Sequence, residues 1–151
     1  MKENLNKYIN SKNNELKNSS FSFESLFEII HNQDDRVFIE YIDLFRVKQI
    51  TYKDFKKYCY RFATYLSSKI SDPTDSFVGI MMENSTTWIA SFWALLMLGY
   101  KPLLINCKLP LSMNEQIAKS LNVKTIITSN ENIIVDDVNV ITIESSNALI
   151  E

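Results

Sequence analysis

Between Asp75 and Asn106 the chain reads DSFVGIMMENSTTWIASFWALLMLGYKPLLIN, with almost nothing polar to interrupt it. Phe77 to Met82 is a continuous apolar run, the pattern of a strand covered on both faces. Asn84–Ser85 then offers a helix N-cap. Trp88 to Leu98 is apolar on nearly every side, so its helix is expected to be sandwiched rather than half-exposed, with Trp88 and Trp93 as core. Gly99 falls at the C′ position, where a positive φ costs glycine nothing. Leu103 to Ile105 resumes a strand. Strand, helix, strand in this order is one parallel β-α-β unit, and parallel strands demand right-handed crossovers.

The rest of the chain extends this pattern. Pro110 followed by Ser112–Met113–Asn114–Glu115 reads as an S-x-x-E capping box, with Ile117, Ala118 and Leu121 on the helix face. Lys124 to Thr128 and Val138 to Ile143 read as two further strands. Upstream, Ser22 can cap a short helix whose apolar face is Leu26, Phe27, Ile29 and Ile30 and which ends near Asn32. Val37 to Ile42 and Arg46 to Ile50 read as a β-hairpin turning at Asp43–Leu44–Phe45. Thr51 with Asp54 resembles a capping box, and Ile50 with Phe55 a hydrophobic staple. Phe55, Tyr58, Cys59, Phe62, Ala63, Leu66 and Ile70 follow helical spacing until Asp72–Pro73. Residues 1–20 are polar and read as a frayed helix or a tail. The expected architecture is an α/β fold in three layers around a parallel sheet, preceded by a helix and a hairpin, over residues 21–151.

The 151 residues suit one domain. The formal net charge of −2 comes without a Lys/Arg block, which argues against a nucleic-acid or membrane-surface partner. Trp88 to Leu98, the longest apolar run, is too short to span a bilayer. Cys59 and Cys107 lack C-x-x-C spacing and a nearby His pair, so no metal ligand is assigned. No signal peptide is in view, so a reducing cytoplasm with free thiols is expected.

Ligands of parallel sheets gather at the carboxyl ends of the strands. Those ends are Glu83–Asn84–Ser85, Asn106–Cys107–Lys108 and Thr128–Ser129–Asn130, and none contains glycine. Neither G-x-G-x-x-G nor G-x-x-x-x-G-K-[ST] occurs, so the backbone cradle of a dinucleotide or P-loop site is missing. Asn84–Ser85–Thr86 could hold an anion at a helix N-terminus, but ordinary capping accounts for it. His31, the single histidine, stands at a helix end and reads as a partner of the dipole. Asp34–Asp35 and Asp136–Asp137 are adjacent pairs whose side chains diverge on an extended chain, and they read as loop solvation. Lys108 beside Cys107 could activate the thiol, yet no base accompanies it.

Ile50–Thr51–Tyr52–Lys53–Asp54–Phe55, Arg61 with Ala63 and Leu66, the strand into Asn84–Ser85, LLMLGYKPLLIN from Leu95 to Asn106, and Thr125–Ile126–Ile127–Thr128 form an ordered set. Together they resemble the N-terminal part of the adenylate-forming enzymes: acyl-CoA synthetases, nonribosomal peptide adenylation domains and luciferases. Asp54, Phe55 and Tyr100–Lys101 depart from the family pattern and touch packing more than chemistry. The resemblance implies an enzyme that activates a carboxylate with ATP and passes the acyl group to a thiol. Its cofactors would be ATP, Mg and a CoA or phosphopantetheine thiol.

The family's Ser/Thr/Gly-rich phosphate loop ending in Pro–Lys, its adenine pocket, its ribose-binding Asp and its C-terminal Lys have no counterpart in these residues. No catalytic residue is therefore carried over, cofactor-binding residues stay unassigned, and no cofactor is expected for the chain alone. The expectation is an N-terminal portion of such a ligase, inactive by itself, whose partner is the remainder of the enzyme. The alternative is a stand-alone, non-catalytic interaction or regulatory module of the same fold. The Pro–Leu–Leu–Ile–Asn strand leans toward acyl-CoA or acyl-carrier ligases over amino-acid adenylation.

Overall fold

The computed structural model describes residues 2–144 and 146. Its elements, in chain order, are α1 (Lys2–Asn18), α2 (Phe23–Ile30), β1 (Val37–Asp43), β2 (Arg46–Thr51), α3 (Tyr52–Ser67), β3 (Phe77–Met81), α4 (Thr86–Met97), β4 (Lys101–Leu104), α5 (Leu111–Ser120), β5 (Thr125–Thr128) and β6 (Asn139–Thr142). β1 and β2 form an antiparallel pair, and the other four strands form one sheet in the order β4-β3-β5-β6. All neighbours in that sheet are parallel.

The sheet is covered on both faces, which gives the three layers. Val78, Ile80, Ile127 and Ile141 point into a core shared with α2, α3 and α4, including Phe27, Phe55, Leu66 and Leu95. Met81 and Ile126 point the other way, into a smaller core with Ala118 of α5, Val123 and Val135. The alternation of β3 thus buries side chains on both faces, as its unbroken apolar sequence demands. Gly79 sits opposite Leu103 on one side and Ile126 on the other. At that position a Cβ would approach Cδ1 of Ile105 and Cγ1 of Ile126 to 2.9 Å each, so any larger side chain would force the second core to shift.

Local signals explain most of the boundaries. Ser22 and Ser25 exchange side-chain and backbone hydrogen bonds, both at 3.0 Å, and so start α2. At α3, the Asp54 N–H donates to Thr51 Oγ1 at 3.1 Å. Asp is too short to reach back to the Thr51 N–H, and its carboxylate instead accepts from the Thr51 hydroxyl at 2.8 Å. Gly99 has φ +83 and ends α4.

Three expectations need correction. The S-x-x-E box does not cap α5: the helix begins a residue before Ser112, with Pro110 at the cap and no side-chain cap bond. The anchor of that first turn is buried Asn114, whose Nδ2 donates to the Asn106 carbonyl at 3.2 Å. Next, α3 ends at Ser67, ahead of Asp72–Pro73, because the Ser68 hydroxyl and N–H both turn back to the Tyr65 carbonyl. The hairpin turn is the pair Leu44–Phe45 alone, since Asp43 already pairs with Arg46.

α4 is sandwiched as its all-round apolar sequence predicts, with no exposed residue from Thr86 to Met97, and its tryptophans pack against the main core. Its fully buried side carries Thr87, Ala90, Ser91, Ala94 and Leu95, whereas Trp88, Phe92 and Trp93 are half-buried. Small side chains let the backbone approach its neighbours closely, and the large rings fill the margins of the contact.

Candidate functional site

An open cleft of about 470 Å³ lies at the carboxyl ends of β3 and β4. It is framed by Glu83 and Asn84 after β3, Asn106, Cys107 and Lys108 after β4, and the Trp88 indole of α4. Two of the three strand ends singled out in the sequence thus meet in one place. The third does not join them. Buried Thr128 donates its hydroxyl inward to the Met81 carbonyl at 2.9 Å, and the Asn130 N–H donates to that Thr128 hydroxyl oxygen at 3.2 Å. β5 is tied to β3 there rather than opened to the cleft.

The floor is held by short-range bonds. Ile105 N–H continues the ladder to Ile80 O at 2.9 Å. Asn106 Oδ1 accepts from the Lys108 N–H at 2.9 Å, and its carbonyl is gripped by Asn114. Across the mouth, Lys108 Nζ lies 3.6 Å from Glu83, with both side chains mostly in water. Such an exposed pair contributes little to stability. The cleft offers polar groups, one cation and an aromatic wall, but no base beside Cys107 and no pair of carboxylates. Trp88 packs against the main core, as read in the sequence, and also forms the cleft's aromatic wall.

Neither glycine is placed to cradle a phosphate. Gly79 is closed in by Ile105 and Ile126, and Gly99 is a helix stop, so neither opens backbone N–H groups toward a ligand. The start of α4 is occupied by the chain itself. Ser85 Oγ accepts from the Trp88 N–H at 3.1 Å, and Ser146 O accepts from the Thr87 N–H at 3.2 Å. Thr87 Oγ1 in turn accepts from the Ser146 N–H at 3.2 Å. Capping, not anion binding, accounts for Asn84–Ser85–Thr86. Among the described residues no group of His, Cys, Asp and Glu is arranged to hold a metal ion, and no helix is long and apolar enough to cross a membrane.

A second cleft, of about 380 Å³, lies between α3 and the end of β6, lined by Tyr58, Arg61, Phe62, Tyr65 and Ile143 among others. It was not read as a site in the sequence, where Tyr58 and Phe62 belong to the stripe that packs α3.

Other candidate residues are placed as follows. Asp34–Asp35 and Asp136–Asp137 are exposed loop residues, with Asp34 and Asp137 at positive φ. Cys59 is fully buried, and burial pushes its thiol far up; Cys107 is half-buried. His31 caps the C-terminus of α2 but is 1% exposed. Burial pushes its pKa below the ordinary 6.5, against the opposing pull of the Phe27 hydrogen bond and Glu28. At the end of α2 its Nδ1 meets the Phe27 carbonyl of the last turn at 2.9 Å.

Comparison with known proteins adds to this geometry. The sequence profile of the AMP-binding enzyme family matches residues 26–149. No curated protein matches the chain. Among solved structures, the chain is similar to the Klebsiella oxytoca NpsA N-terminal subdomain in complex with 3-hydroxybenzoyl-AMSN: 19% identity and TM-score 0.68, over 78% of this chain and 29% of that one. It is also similar to NpsA-ThdA, an artificially fused adenylation–PCP di-domain from Klebsiella oxytoca, with 20% identity and TM-score 0.69 over 80% of this chain and 22% of that one. The third is the Bacillus subtilis o-succinylbenzoate CoA synthetase MenE in complex with OSB-AMP, with 18% identity and TM-score 0.55 over 62% and 25%. At these identities the likeness is one of fold. The chain spans less than a third of the length of these solved chains.

Proposed function

The chain belongs to the AMP-binding enzyme family, and from that premise we propose that it is the N-terminal part of an ATP-dependent ligase that forms acyl-adenylates and hands the acyl group to a CoA or phosphopantetheine thiol. The match of the family profile over residues 26–149 carries this reading. By itself the chain does not adenylate. Its strand ends lack a glycine cradle, and the start of α4 is taken up by Ser85 and Ser146. The phosphate-binding loop and the catalytic lysine come from the remainder of the ligase, as its partner.

Surface exposure supports an incomplete domain. Ile42, Leu44, Phe45 and Val47 at the hairpin tip are 61–101% exposed. Clustered apolar exposure of this kind marks surface that another part of an assembly covers. The free thiols suit a cytoplasmic enzyme.

The test begins with the reading frame that follows the chain, which should encode a Ser/Thr/Gly-rich loop ending in Pro–Lys. Mixing the purified chain with that downstream polypeptide should restore ATP-dependent hydroxamate formation from a panel of carboxylic acids, with neither piece active alone. A downstream sequence without such a loop would defeat the ligase reading and leave the non-catalytic module.

A further inference from the structure

The single histidine of the chain occupies a position that its place in the sequence does not announce. The His31 ring is enclosed by Phe27 of α2, Phe38 of β1, Tyr52 and Phe55 of α3 and Trp93 of α4, at centroid distances of 4.2, 5.0, 5.9, 5.5 and 5.5 Å. Its ring therefore touches four elements at once: α2, β1, α3 and α4.

The tautomer follows from the hydrogen bonds. Nδ1 lies 2.9 Å from the Phe27 carbonyl, which can only accept, so Nδ1 carries the proton. The His31 backbone N–H also donates to that carbonyl at 2.9 Å, so both of its lone pairs are engaged. Nε2 is bare, buried and without a partner among the described residues. Protonating it would put a charge and a new donor where no acceptor waits.

The charged and titratable neighbours do not change this. On α2, Glu28 is held by Lys56 and by the Tyr60 hydroxyl, both from α3. Tyr52 of α3 meets the ring as an aromatic face, while β1 and α4 contribute Phe38 and Trp93, which do not titrate. Aromatic faces offset part of a buried cation, but a ring N–H left unpaired costs more than a typical contact returns.

We infer that His31 is an acid-sensitive latch: neutral, it fastens α2 and the β1–β2 hairpin onto the α3–α4 pair, and protonated, it releases them. The sign is fixed by linkage. A histidine depressed in the folded state binds fewer protons there than when released, so the fastening is complete above the ordinary value and weakens as pH falls from it through the folded value. The inference stands independently of the ligase reading, since it concerns only how α2 is held.

Because the histidine is unique, its imidazole can be titrated unambiguously by NMR in the 151-residue chain without any substitution. The expected result is an Nδ1–H tautomer titrating below 6.5. Amide exchange corrected for intrinsic rates should show α2 losing protection about tenfold in step with that titration, while β3 and β5 keep theirs. His31→Phe fills the cage without titrating and should make α2 protection flat over the same range. His31→Gln, whose amide keeps a polar group but does not titrate, should also be flat. An imidazole that titrates at or above 6.5 would overturn the latch. So would an acid loss of α2 protection that persists in His31→Phe, or one shared equally by the central strands.

Discussion

A Cβ on Gly79 would lie 2.9 Å from Cδ1 of Ile105, so the end of one strand's neighbour dictates a glycine in the middle of β3. The same would-be atom meets Cγ1 of Ile126 at 2.9 Å from the other side. The second glycine, Gly99, is required for the opposite reason. Its surroundings are open, with nothing nearer than Thr74 at 3.8 Å, but its φ is +83. One glycine answers to space and the other to backbone conformation.

The two should therefore fail differently. Gly79→Ala should lose about 1–3 kcal/mol through overpacking. Gly99→Ala should lose about 1 kcal/mol through left-handed strain, and Gly99→Asn less, because Asn tolerates that region. Gly79→Asn should be the worst of the set. Urea melts of the four variants give the ranking; equal losses for Asn at both sites would contradict it.

The hairpin turn carries stored strain. Leu44 and Phe45 both have positive φ, +43 and +67, at the centre of a two-residue turn where Asn-Gly is preferred. Replacing the pair by Asn-Gly should stabilise the chain by about 1–2 kcal/mol. The gain should appear as a higher urea midpoint with an unchanged slope. A lower midpoint would mean that the exposed Phe45 ring packs on something in solution.

The thiols should separate cleanly. Burial holds the Cys59 thiol protonated and out of reach, whereas Cys107 is half-buried at the edge of the strand-end cleft. Iodoacetamide on the native chain should modify Cys107 first, and Cys59 only after unfolding. Peptide mass spectrometry reads this directly; comparable native rates would show that the α3 core opens readily.

Glu28 should give a second, shallower acid dependence. Burial raises its pKa, but hydrogen bonds from Lys56 and Tyr60 and the Lys56 charge outweigh that and leave it lowered from 4.5. A lowered carboxylate contributes stability above its unfolded value, and the contribution fades as pH falls through the folded value. With Lys56 and Glu28 side chains 29% and 40% exposed, solvent screens the pair. Glu28→Gln should thus lose about 1 kcal/mol or less near neutral pH, and nothing in strong acid. A constant loss across the range would assign the residue a packing role alone.

Much of the fold was legible in the sequence because its signals are local. Ser22, Thr51, Ser85 and Gly99 mark ends through bonds reaching no more than a few residues. The unbroken run of β3 announces a strand with two covered faces. What stayed hidden depends on tertiary neighbours. Ser112–Glu115 has the letters of a capping box, yet Asn114 pins that turn to Asn106 and the helix starts earlier. His31 was legible as a helix-end residue, but not its cage, because the rings around it come from four separate elements. The strand-end cleft was legible as a place, through Glu83–Asn84 and Asn106–Lys108, but not the exclusion of Thr128, whose hydroxyl turns to Met81. The Trp88 wall was hidden by a helix that reads apolar all round.

The chain carries the fold of the adenylate-forming family, and the central proposal is that it lacks the family's phosphate-binding machinery. ATP–pyrophosphate exchange, measured on the purified chain with a broad panel of carboxylic acids, tests it most directly. The expected result is no exchange above the protein-free background with any acid. Acid-dependent exchange by the chain alone would contradict the claim and place a working triphosphate site within these residues.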